Sequence, residues 1–186
     1  MNIKHLFLAI ISLVLVFSVS PQEAEDIGEQ PEDSLPRSFR QIYLGMYLDD
    51  LKERLLEDRY FNFRGARDVS FLPIREQSLV ETTGSSFIRR AFFQLRDDRV
   101  FIMSFTLNTD LIDHYSVFTQ FVERYGQPDS LNPRAAIWET PNTRIAIERP
   151  LTVRYIDRIT FNDILHESGL VESNQSRLRQ EFLNEF

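Results

Sequence analysis

Three histidines, His5, His114 and His166, are the first candidates for acid–base work or metal ligation in this 186-residue chain. His5 stands in a leader segment. His114 and His166 have no Glu or His at the spacing of a metal motif, and they read as surface or half-buried side chains. Asp97-Asp98 supplies two adjacent carboxylates, but neighbours on a strand or turn point in different directions, so the pair reads as a turn. Thr82-Thr83-Gly84-Ser85-Ser86 could surround a nucleophile. It lacks the strand-Gly-x-Ser-x-Gly-helix setting that exposes one, and it reads as a loop. Six glycines form no phosphate-binding loop, and the absence of cysteine excludes disulfides, thiolate catalysis and zinc–thiolate sites. The residues therefore predict no catalytic, cofactor or metal site and a protein that is not an enzyme.

Binding is the chemistry that remains. The 16 Phe fall mostly at core spacing, but one segment asks for more than a core. Phe87 to Leu107 is two aromatic and β-branched runs around Asp97-Asp98, the pattern of a hairpin with a two-residue turn. In that register Phe93 faces Ile102 and Phe92 faces Met103, so both faces carry large apolar side chains. Strands apolar on both faces need cover on both. What the monomer leaves uncovered is a patch of the kind that marks a protein contact. Phe92, Phe93, Phe101, Met103 and Phe105 are the candidate partner-binding residues. The competing reading is that the C-terminal helix, through Leu178, Phe182 and Phe186, or the Tyr60 to Thr83 stretch covers the second face. Arg89-Arg90, the densest pair in a chain with 19 Arg and 2 Lys, reads as a solvated strand position.

The elements that position these residues alternate between helical and strand periods. Phe39 to Leu44 reads as a short strand ended by Gly45. Leu48, Leu51 and Leu55 then recur at helical spacing, giving a helix over about Asp49 to Asp58. Tyr60 to Thr83 holds one to three strands. A second helix opens with Asp110 as N-cap and Asp113 in its first turn. Its apolar stripe is Leu111, Tyr115, Phe118, Val122 and Tyr125, and Gly126 and Pro128 end it. Ala135 to Thr140 and Thr143 to Arg149 flank Pro141-Asn142, setting Trp138 against Ile145, Ala136 against Ile147 and Glu139 against Arg144. That is an apolar face backed by an ion pair, as in a half-buried antiparallel sheet. Leu151 to Ile159 adds a strand. Leu178, Phe182, Leu183 and Phe186 give the tail a short amphipathic helix. The fold class is α+β: an antiparallel sheet packed with two main helices, in two helix-plus-strands halves, with a short C-terminal helix.

The ends set the compartment. Leu6 to Val19 is an apolar run of 14 residues after a short basic start, too short for the roughly 20 that span a bilayer and laid out as a secretory signal. Residues 1–20 are read as that signal. Residues 21–36 carry six acidic and no basic residues, with Pro21, Pro31 and Pro36, and read as a disordered linker. Residues 37–165 are one α+β domain and 166–186 a tail. The net charge of −7 resides mainly in the ends, since Arg37 to Glu167 holds 18 basic and 19 acidic residues. A domain without basic excess carries no nucleic-acid footprint. The expected protein is periplasmic or secreted, with no membrane span after signal removal.

Ile42-Tyr43-Leu44-Gly45-Met46-Tyr47-Leu48-Asp49-Asp50-Leu51 resembles the opening of SmpA/OmlA-like envelope proteins, which place a Gly-Met element before a helix. Tyr125-Gly126-Gln127-Pro128 is similar to their Leu-Gly-x-Pro element. The same helix-plus-antiparallel-sheet unit, in tandem, is found in β-lactamase-inhibitor-like proteins. Here Tyr47 replaces the capping hydroxyl residue, the two elements lie around different helices, and the lipidated cysteine is missing. The resemblance implies a non-catalytic, cofactor-free binding or assembly protein of the cell envelope, whose partner is another envelope protein. The alternatives are an inhibitor of an enzyme, with Ser78 to Ser86 as its projecting loop, and an enzyme with an unrecognised site.

Overall fold

The computed structural model describes residues 35–72 and 76–183, with backbone alone at 171–175 and 181. The expected signal, nearly all of the acidic linker, and Phe186 lie outside the described residues.

Phe39 to Leu44 forms a tight hairpin instead of one strand. β1 (Ser38–Phe39) and β2 (Ile42–Tyr43) pair antiparallel around Arg40 at φ 56°. Gly45, at φ 94°, then turns the chain onto a neighbouring backbone. Its N–H donates to the Val100 carbonyl at 2.7 Å, Val100 N–H donates to Met46 O at 3.0 Å, and Leu48 N–H donates to Asp98 O at 2.9 Å. α1 (Leu48–Glu57) therefore starts without a side-chain cap from Tyr47, because the Asp98 carbonyl takes up its first free N–H. Asp49 and Asp50 in its first turn and Arg54 in its last complement the helix dipole. The Gly45-Met46 element is thus a backbone splice that fixes α1 against a hairpin turn.

A 3₁₀ turn, Gly65–Asp68, leads into β3 (Val69–Phe71), β4 (Gln77–Thr83), β5 (Ile88–Arg96) and β6 (Arg99–Leu107). After α2 (His114–Tyr125) come β7 (Ser130–Leu131), β8 (Ala135–Glu139), β9 (Thr143–Glu148), β10 (Thr152–Asp157) and α3 (Arg158–Leu183). β3 to β10 make one eight-stranded antiparallel sheet in the order β3-β4-β5-β6-β10-β9-β8-β7. Each half is a helix followed by a four-stranded meander. The halves meet where their last strands, β6 and β10, pair with Ser104 opposite Arg154. The α+β architecture in two helix-plus-strands halves is the one the sequence predicts.

Two registers decide which residues share a face. Asp97 and Asp98, at φ 50° and 57°, form the two-residue turn, with positive φ at both positions as such hairpins require. Arg96 then pairs with Arg99 and Leu95 with Val100, but Gln94 pairs with Ile102, so Phe101 is an extra residue in a bulge. The bulge shifts the pairs from Gln94 to Arg90 by one, and a second irregularity between Arg90 and Ile88 reverses it. Phe93 faces Met103 and Phe92 faces Ser104, correcting the pairing expected from the turn alone. The β8–β9 hairpin pairs as expected: Trp138 with Ile145, Ala136 with Ile147, Glu139 with Arg144.

One face of the sheet is the core. Phe93, Leu95, Met103, Phe105, Trp138 and Ile145 are buried there with Leu48, Leu51 and Leu55 of α1 and Val117 of α2, and Phe118, Phe121 and Val122 pack at its margin. α2 starts three residues later than Asp110 would give. Asp113 is its cap, accepting from Ser116 N–H at 2.9 Å and from its hydroxyl at 2.7 Å. Leu111 therefore lies before the helix, and both it and Tyr115 in the first turn are exposed. Gly126, at φ 76°, ends the helix.

α3 follows β10 without a break and runs for 26 residues, starting well before the stretch around Leu178. Asp157 caps it by accepting from Thr160 N–H at 2.9 Å. Among the described residues no helix is long and apolar enough to cross a membrane.

Candidate binding face

The second face of the sheet is read in rows across the strands. One row runs Glu81, Phe92, Ser104, Arg154, Ala146, Ile137, and the next runs Leu79, Gln94, Ile102, Ile156, Arg144, Glu139. The bulge turns Phe101 to the same side as Ile102. Phe101, Ile102 and Ile156 form a small buried cluster, and Phe161 and Ile164 of α3 pack against it. Arg96 Nη2 anchors the helix further along by donating to Glu167 at 2.7 Å. α3 thus covers the second row at the sheet centre. The Phe161 and Ile164 contact falls on the second row; Phe92, on the first, is half exposed.

Ion pairs lace this face. Arg90 Nη1 lies 3.2 Å from Glu81, and its guanidinium sits 5.8 Å from the Phe92 ring centre. Arg154 Nη2 lies 3.1 Å from Glu148 and its Nε donates to Ser104 Oγ at 3.2 Å. Glu139 holds two arginines: Arg158 Nη1 at 3.5 Å and Arg144 Nε at 2.5 Å, the latter shielded from solvent but off the N–H axis, hence an ion pair and not an aligned hydrogen bond. Paired arginines beside a half-exposed aromatic ring can present bidentate donors and an apolar surface together, a combination enriched at protein contacts. Each exposed pair by itself adds little stability.

The five candidate residues separate between the two faces. Phe93, Met103 and Phe105 are fully buried against the helices, where a partner cannot reach them without unfolding the core. Phe101 is buried beneath α3. Phe92 alone of the five remains half exposed on the open face. Sequence reasoning did not single out Arg154 or Ser104. Their signal was the alternation of Thr152 and Arg154 with Val153 and Tyr155, which marks a polar face without naming what it meets. The cover on the second face comes from Phe161 and Ile164, while Leu178 and Phe182 are exposed.

The remaining chemical candidates are accounted for by local structure. His114 lies in the first turn of α2, where burial and then the Arg149 charge lower its pKa. Of the Ser78 to Ser86 loop expected for an inhibitor, Ser78 to Thr83 is strand β4, with Ser78 and Thr82 buried, and only the short turn at 84–87 lies outside the strands. Among the described residues no group of three or more His, Cys, Asp or Glu could hold a metal ion.

Residues 37–167 match the family model described as the TP0088 domain. The chain belongs to the TP0088 domain family. No curated protein and no solved structure matches it. The matched stretch of this TP0088 domain reaches from the residue before β1 through the first ten residues of α3, and so takes in the whole sheet and the helical turns that cover Phe101.

Within the TP0088 domain, a cleft of about 440 Å³ lies where the Gly45 splice, the β5–β6 turn and the start of α3 meet. Its charges are largely spent inside the fold. Arg96 is shared by Asp97 and Glu167, and Asp157 pairs with Arg37. Burial pushes the Asp157 pKa up, but the Thr160 N–H and Arg37 outweigh it and hold the carboxyl below its ordinary value.

Proposed function

We propose that this TP0088-domain protein is an exported, non-catalytic binding protein of the cell envelope, and that it holds another envelope protein on the open face of its sheet. The observation that carries the reading is Phe92: a half-exposed aromatic on the row next to the one that Phe161 and Ile164 of α3 cover, flanked by Arg90 and Glu81 and two strands from Arg154. The short apolar leader supports export. The tandem helix-plus-meander arrangement supports the architectural likeness to SmpA/OmlA-like and β-lactamase-inhibitor-like proteins.

The test is photo-crosslinking in intact cells, with a benzoylphenylalanine placed at position 92 and, as control, at exposed Tyr115 on α2. A discrete adduct from position 92 that position 115 does not give supports the reading. Identical patterns from both positions, or none, reject it. Export is tested separately by N-terminal sequencing. The mature chain is expected to begin between Val19 and Gln22, and bulk protein starting at Met1 would count against export.

A further inference from the structure

On the helix side of the sheet, a cleft of about 430 Å³ opens between the β1–β2 hairpin and α2. Phe39 comes from the hairpin, Phe121, Arg124 and Tyr125 from α2, and Tyr155 from the centre of the sheet. The volume is in the range of small-molecule sites.

Tyr155 makes this cleft unlike an ordinary seam. It is 5% exposed, and Phe105 meets its ring edge-on with centroids 6.2 Å apart. Among the described residues its hydroxyl has no hydrogen-bond partner. The hydroxyl is not sealed off: Arg144 Nε is the one fully shielded side-chain polar atom without a hydrogen-bond partner among the described residues, so the Tyr155 oxygen is reachable from the cleft that its residue lines. Burial raises its pKa well above the ordinary phenol value, and the nearby Arg124 charge opposes that shift only in part. The group therefore stays a neutral O–H donor at physiological pH. At the rim, Arg40 is committed to Asp58 and to the Tyr60 ring. Arg124 has no ion-pair partner among the described residues. A free donor at the floor, a free cation at the rim and aromatic walls between them select for one kind of molecule.

We propose that this cleft is a binding site for a small aromatic carboxylate, whose ring lies among Phe39, Phe121 and Tyr125 while its carboxylate accepts from the Tyr155 hydroxyl and pairs with Arg124. The site is separate from the open sheet face and does not depend on the function proposed for it.

The probe is N-acetyl-L-phenylalaninate, titrated into the full chain by NMR or calorimetry beside its neutral amide and beside acetate. The carboxylate binds with a dissociation constant below about 1 mM, the amide about tenfold more weakly or worse, since hydrogen bonds to charged groups are the stronger ones, and acetate not measurably. Arg124→Gln reduces the carboxylate to the affinity of the amide. Tyr155→Phe weakens it several-fold while the melting temperature holds or rises, because no protein hydrogen bond is removed. The peptide Ala-Ala-Phe carries the same chemistry at a chain end. Tighter binding than the free acid places the natural group on a peptide, and weaker binding places it on a free molecule. Equal affinity for carboxylate and amide, no effect of Arg124→Gln, or a melting temperature that falls sharply in Tyr155→Phe would each overturn the assignment.

Discussion

The indole N–H of Trp138 donates to the carbonyl oxygen of Gly126 at 2.9 Å. One bond thereby joins the core face of β8 to the end of α2, and Phe118 and Phe121 pack on the ring with centroids 6.1 and 5.6 Å away. Trp138→Ala removes both the packing and the bond, and is expected to cost about 3–5 kcal/mol in chemical denaturation. Trp138→Phe keeps a ring but leaves the Gly126 carbonyl without this donor, a cost of about 1–2 kcal/mol. Gly126→Ala meets no neighbour within 4 Å, yet at φ 76° and ψ −169° it costs about 1–3 kcal/mol in backbone strain alone. A loss below about 1 kcal/mol for Trp138→Ala would contradict the buried indole.

Acid should loosen α3 through Asp157. Its folded-state pKa lies below the ordinary carboxyl value, so its contribution is present above the unfolded value near 4 and is lost as pH falls through the folded one. Below that point the cap on Thr160 N–H and the pairing with Arg37 weaken together. Melting temperature is expected to fall as the pH drops below about 4, and Asp157→Asn should flatten that part of the profile while lowering stability at pH 7. Parallel acid profiles for the two proteins would exclude Asp157 as the cause.

α3 has a structural start and an exposed continuation. A stop after Glu167 keeps Phe161, Ile164 and the Arg96–Glu167 pair, and the domain should retain its two-state unfolding. A stop after Asp157 uncovers Phe101, Ile102 and Ile156, and should produce a chain that binds hydrophobic dye and aggregates. Loss of folding already at the longer stop would mean that the distal helix carries stability.

Legibility in the sequence followed the locality of the cause. The β8–β9 hairpin was readable to the residue because Pro141-Asn142 and the alternation of Trp138, Ile145 and Ile147 all act within a dozen residues. α1 was readable from three leucines. The β5–β6 register was not, because a two-residue turn at Asp97-Asp98 predicts one pairing and the bulge at Phe101 imposes another. No local residue announces that bulge. Its reward is distant: it turns Phe101 and Ile102 toward a helix that begins more than fifty residues later. α2 misled for the same reason, since Asp110 and Asp113 are both good caps and only packing of Val117 and Phe121 chooses between them. The Tyr155 cleft was invisible because Phe39, Phe121 and Tyr155 come from three distant segments.

The two faces of the β5–β6 hairpin now make opposite predictions for adjacent residues. Phe93 is fully buried among Phe61, Phe105 and the α1 leucines, so Phe93→Gln should unfold the isolated domain or cost more than about 3 kcal/mol. Phe92 is half exposed on the open row, and Phe92→Gln should change stability by no more than about 0.5–1 kcal/mol. If a partner docks on that row, the stable Phe92→Gln variant should lose recovery of the partner from the envelope fraction. Arg154→Gln, which removes the charge facing Ser104 and Glu148 from the same row, should weaken recovery in the same direction. The decisive comparison is between stability and recovery in one protein. Phe92→Gln that unfolds the domain makes the row core on both sides, and Phe92→Gln that is stable with full recovery moves the contact elsewhere. A stable fold with partner recovery abolished identifies the open face as the surface on which this domain works.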